Sequence, residues 1–170
     1  MAEKIIMIKP RVISYSGLFV MKELYHTIDS WLKENGYDKE EKKAYERVSE
    51  KGKTIEVKYE PFKKITDYSK YILEIQIRVR NLIPVEVEEK GKTKIFNKGD
   101  VEITLQGNKI SDYENYWESK PFYFFVRTVF RKFILKGEES KQDSKFKEDF
   151  ENIVREIKDH LNMHKFIRMS

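Results

Sequence analysis

Three histidines, His26, His160 and His164, are the first residues in this 170-residue chain to consider for metal or proton-transfer chemistry. His160 and His164 stand four residues apart, which on a helix puts both imidazoles within reach of one ion. A site needs a third ligand from elsewhere, so the pair reads as two helix-surface histidines, with no metal and no cofactor expected. There is no cysteine, which removes thiol nucleophiles, iron-sulfur sites, thiolate zinc and disulfides together and suits a reducing interior. Gly-rich phosphate loops, a Gly-x-Ser-x-Gly elbow and a His-Glu-x-x-His pair are all missing, and the 7 glycines are scattered singly. Asp67, Asp112 and Glu114 show no spacing that marks a general acid or base, and Asp67 and Asp112 read as turn or capping residues. An enzyme is not expected.

Charge is more informative. The net charge is +5, and Ser119 to Lys136 holds Lys120, Arg127, Arg131, Lys132 and Lys136 with no acid, so this stretch equals the whole excess. At about 100° per residue, Lys120, Arg127 and Arg131 fall on one line of a helix, opposite Phe122, Phe125, Val126, Val129, Phe130 and Phe133. Phe124 lies beside that line, with Lys132 and Lys136 at its edge. A solvated helix face normally mixes signs for i, i+4 pairs, and this one has no acids to pair with, so it reads as a phosphate-contacting ridge. The segment Tyr113 to Phe125 that leads into it has seven aromatics in thirteen residues. Most of these close the core. Tyr116, Trp117 and Phe124 are left to stack on bases or to meet a partner.

The elements that must position this ridge follow from periodicity. Ile5 to Tyr15 reads as a strand broken near Pro10, with Ser16-Gly17 turning the chain into a helix. That helix carries Met21, Leu24, Tyr25, Ile28, Trp31 and Leu32 on one face and stops at Gly36. From Lys42 to about Ile110 the period is two, with turns at Lys51-Gly52, Gly91-Lys92 and Lys98-Gly99. Ile55, Val57 and Tyr59; Tyr71, Leu73, Ile75, Ile77 and Val79; and Val101, Ile103 and Leu105 alternate with polar partners, which predicts an antiparallel sheet with one buried face. Lys58, Arg78 and Arg80 fall on the wetted face with Glu56, Glu60, Glu74 and Glu102, so that face is not expected to form a continuous nucleic-acid platform. The helical period returns after Pro121. A polar loop from Lys136 to about Asp143 leads to a last helix bearing Phe146, Phe150, Ile153, Val154, Ile157 and Leu161. The expectation is one α+β domain over residues 1–170, with a single antiparallel sheet of about five to seven strands packed by an N-terminal helix and two C-terminal helices.

Hydrophobic residues at 39%, charged residues at 37% and 11 Phe, 10 Tyr and 2 Trp predict a folded chain. No apolar run reaches membrane-spanning or signal-peptide length, so a cytoplasmic protein without a membrane partner is expected. The order strand, helix, antiparallel strands, C-terminal helices is similar to the helix-grip topology of START-like lipid-binding domains, which implies an apolar chamber lined by Phe and Ile under the last helix. Tyr15-Ser-Gly-Leu-Phe, Lys22-Glu-Leu-Tyr, Lys64-Ile-Thr-Asp-Tyr and Asp112-Tyr-Glu-Asn-Tyr-Trp-Glu resemble a group of small archaeal proteins. That resemblance implies an archaeal cytoplasmic setting and carries over no catalytic or binding residue. Together these features point to a non-enzymatic protein that binds RNA or a ribonucleoprotein, such as the ribosome, through Lys120, Arg127, Arg131, Lys132 and Lys136, with Tyr116, Trp117 or Phe124 stacking nearby. A homodimer or protein-interaction module joined at the aromatic corner or the exposed sheet face, and a carrier of an apolar ligand, are the alternatives.

Overall fold

The computed structural model of the chain describes residues 3–67, 69–111 and 136–163. They form β1 (Glu3–Phe19), α1 (Met21–Glu34), β2 (Glu41–Ser49), β3 (Gly52–Tyr59), β4 (Phe62–Thr66), β5 (Ser69–Glu89), β6 (Lys92–Ser111) and α2 (Lys136–Asn162). The fold is α+β, with one six-stranded sheet in the order β1-β6-β5-β3-β2 and β4 paired to β5; every pairing is antiparallel. Among the described residues there is one N-terminal helix and one C-terminal helix; the expected helix after Pro121 lies outside them. None of the described helices is long and apolar enough to cross a membrane.

The period-two runs become strands whose odd-numbered residues form the core. Leu73, Ile75, Ile77, Val79, Ile103 and Leu105 are fully buried, and on α2 so are Phe146, Phe150, Ile153 and Ile157. Both helices cover this face. Gly107 on β6 lets α2 sit close, since a Cβ there would lie 3.0 Å from the Phe146 ring and 2.9 Å from Ile8.

Glycines read as turns divide into two kinds. Lys90 and Gly91 both have positive φ, 51° and 75°, which is the pattern of a tight two-residue hairpin turn matching strand twist. Ser16-Gly17 and Lys98-Gly99 are not turns. Gly17 pairs with Gly99 inside continuous strands, Asn81 on β5 has a φ of 55°, and the β5–β6 register slips between Arg80 and Ile83. A line of irregular backbone therefore crosses β1, β6 and β5. On β3 it meets Gly52, whose φ is 124° and whose added Cβ would lie 2.9 Å from the Asn81 carbonyl carbon. Bulges of this kind bend a sheet and increase its twist. Beyond the line β5 and β6 continue as a two-stranded arm with its own small cluster of Leu18, Val87 and Phe96. Because both backbone conformation and space exclude a side chain, Gly52→Ala is expected to lower stability by about 1–3 kcal/mol, read as a shift in the urea midpoint.

Two other expectations change. Pro10 does not break β1; it sits on an edge strand, inside the register shift between Ile8 and Arg11, where a missing N–H is tolerated. The polar stretch from Lys136 to Asp143 is not a loop but the opening of α2. Its anchor is polar: Asp143 accepts hydrogen bonds from Tyr71 and Lys109 of the sheet.

Candidate binding cleft at the end of the sheet

Of the residues singled out by charge and aromaticity, Tyr116, Trp117, Lys120, Phe124, Arg127, Arg131 and Lys132 lie outside the described residues, and Lys136 is the first residue of α2. The described chain nevertheless fixes where their segment joins the fold. Ser111, the last residue of β6, pairs with Glu3 and Ser69, and Lys109 Nζ lies 3.1 Å from Asp143 Oδ1 near the start of α2. Both ends of the segment are thus held at one end of the sheet.

That end contains a cleft of about 330 Å³ between β4 and α2, lined by Tyr37, Lys63, Lys64, Ile65, Tyr71, Gln142, Lys145, Phe146 and Asp149. Its construction begins at the end of α1. Gly36, with a φ of 73°, donates to the Lys33 carbonyl, and the next N–H, of Tyr37, reaches back to the Leu32 carbonyl at 2.9 Å. This paired closure is a Schellman motif, which fixes the direction of the residue after the glycine. Tyr37 accordingly packs on Trp31, with ring centroids 5.6 Å apart, and its hydroxyl donates to Asp149 Oδ2 at 3.0 Å. Burial, then the neighbouring Asp149 carboxylate, push the Tyr37 phenol far above its ordinary value, so it stays a donor at any physiological pH.

Lys63 approaches the same carboxylate oxygen. Its Nζ is 3.8 Å from Asp149, donates to the Asn35 carbonyl at 2.9 Å and lies 5.2 Å from the Tyr37 ring centroid. Six residues earlier on α2 the arrangement repeats. Asp143 takes hydrogen bonds from the Tyr71 hydroxyl and Lys109, and Lys109 sits 5.8 Å from the Tyr71 ring centroid. Tyr71 stacks on Phe146 at 4.3 Å, which closes the wall between the two carboxylates. A carboxylate that accepts from a phenol and lies beside an ammonium has its hydrogen-bonding needs met inside the fold. The sequence pattern does not show this cluster, because Tyr37 and Asp149 are 112 positions apart.

The wetted sheet face behaves as its composition suggested. Arg78 lies 3.6 Å from Glu56 and 3.4 Å from Glu102, while Lys58 lies 3.0 Å from Glu60 and 3.7 Å from Glu74, which also pairs with Lys4. Lys58 and Arg78 thus have their charge met by Glu56, Glu60, Glu74 and Glu102. Burial pushes the Glu74 carboxyl up, but the hydrogen bond and charge of Lys4, with Lys58 behind them, outweigh it and hold it below the usual range near 4.5. A depressed carboxyl stabilises the fold above its unfolded value and loses that contribution as pH falls. The stability difference between about pH 7 and about pH 3 is therefore expected to shrink in Glu74→Gln, measured by urea unfolding at both pH values.

His160 is not a surface residue. It is buried between the helices, with its Nδ1 3.3 Å from Thr27 Oγ1 on α1, and His164 lies outside the described residues. Among the described residues no three His, Cys, Asp or Glu side chains could hold a metal ion together. Comparison with protein-family models and with curated proteins finds no match. The reading of function therefore rests on geometry and charge alone.

Proposed function

We propose that this is a non-enzymatic cytoplasmic protein that binds RNA or a ribonucleoprotein surface through Lys120, Arg127, Arg131, Lys132 and Lys136. The observation that carries the reading is a contrast in charge. The stretch from Ser119 to Lys136 holds five cations and no acid, whereas Lys58 and Arg78 of the open sheet face are neutralised by Glu56, Glu60, Glu74 and Glu102. A polyanion is attracted to a run of cations without acids, since phosphate contact gains its free energy from released counterions. The attachment of the stretch supports the same reading: it joins the fold beside a cleft whose lining adds Lys63, Lys64 and Lys145 against Asp149. Arginine contacts to phosphate, with Tyr116, Trp117 or Phe124 stacking on bases, would give affinity with little sequence selectivity. The test is a fluorescence titration of mixed single-stranded RNA at about 50 mM salt. Saturable binding that weakens as salt rises supports the reading, and no binding at low salt refutes it.

A further inference from the structure

The cleft between β4 and α2 has the makings of a site of its own. Among the described residues Lys63, Lys64 and Lys145 line it against one carboxylate, Asp149. A phosphomonoester carries about −1.5 to −2 at neutral pH, so it suits a lining in which cations outnumber acids. The volume of about 330 Å³ suits a small molecule at the lower end of the range for ligand pockets.

The floor adds a second requirement. Asp149 is 4% exposed, receives the Tyr37 hydroxyl on Oδ2 and lies against Lys63, so it is a fixed acceptor at the base of the cleft. A bare anion would be repelled by it; a hydroxyl would donate to it. Lys63 is held inward by the Asn35 carbonyl and the Tyr37 ring, whereas Lys145 is exposed on α2 at the rim. Gln142, one turn before Phe146, adds an amide that can both donate and accept.

We infer that the cleft binds a phosphorylated sugar, with the phosphate at Lys145 on the rim and a sugar hydroxyl donating to Asp149. That chemistry is shared by a free sugar phosphate and by the phosphorylated end of an RNA strand.

Calorimetric titration with ribose 5-phosphate, with ribose, and with a short RNA bearing either a terminal phosphate or a terminal hydroxyl tests this. Ribose 5-phosphate is expected to bind and ribose not. Lys145→Glu, an exposed change, is expected to weaken ribose 5-phosphate binding by about tenfold or more, the scale of one charge-assisted contact. Tighter binding of RNA with the terminal phosphate than without it assigns the strand end as a source; equal binding of the two RNAs assigns the free sugar phosphate. Failure of ribose 5-phosphate to bind at about 10 mM, well above the range of typical ligand affinities, overturns the inference, as does unchanged affinity in Lys145→Glu. Arg127→Ala with Arg131→Ala should leave ribose 5-phosphate affinity unchanged. RNA binding lost in that double variant with ribose 5-phosphate binding intact separates the two sites; the reverse pattern overturns the assignment to the cleft.

Discussion

Phe150→Ala is expected to lower the unfolding free energy by about 3–5 kcal/mol, the cost of emptying a filled aromatic position in a core. Phe150 is completely buried at the middle of α2, between Phe146 and Ile153, over the Ile and Leu residues of β5 and β6. Its ring also carries the Arg11 guanidinium, 5.4 Å from the centroid, and Arg11 in turn donates to Glu151 at 2.6 Å. Truncation would therefore open a cavity and loosen an edge-strand contact together. Against a typical stability of about 5–15 kcal/mol, this is a large share. Chemical denaturation of the variant measures it, and a loss under about 1 kcal/mol would mean that α2 does not seat on the sheet.

The same helix shows which parts of the fold are legible in a sequence. Phe146, Phe150, Ile153, Val154, Ile157 and Leu161 all become buried, because a helix packed along one side imposes the 3.6 period on its apolar residues. Its first turns carry no such stripe, because they are held by Asp143 to Tyr71 and Lys109, a contact that leaves no periodic trace. Glycine is ambiguous for a comparable reason. Gly36 and Gly91 end a helix and a hairpin, whereas Gly17 and Gly99 face one another inside long strands, and composition alone does not separate a turn from a bulge. The cleft was the least visible feature. Tyr37, Lys63 and Asp149 meet only because a Schellman closure, a short strand and a distant helix converge.

The second large effect concerns salt. Each phosphate contact to single-stranded nucleic acid contributes about −0.7 to the slope of log affinity against log salt, so five contacts give a slope near −3.5. Between about 50 and 200 mM salt the affinity for RNA is expected to fall about a hundredfold. Replacing Arg127 and Arg131 by Ala removes two contacts and should bring the slope to about −2, with most of the affinity lost at low salt. The sheet face predicts the opposite behaviour. Arg78 already lies between Glu56 and Glu102, and Lys58 between Glu60 and Glu74, so neither has charge to offer a phosphate without losing an existing pair.

The most direct measurement is the RNA affinity of two double variants side by side at about 50 mM salt, Arg127→Ala with Arg131→Ala and Lys58→Ala with Arg78→Ala. A loss of at least about tenfold in the first, with the second within about twofold of the original chain, is the predicted result. Equal affinity in the first variant, or a larger loss in the second, would contradict the assignment of RNA binding to the segment between β6 and α2.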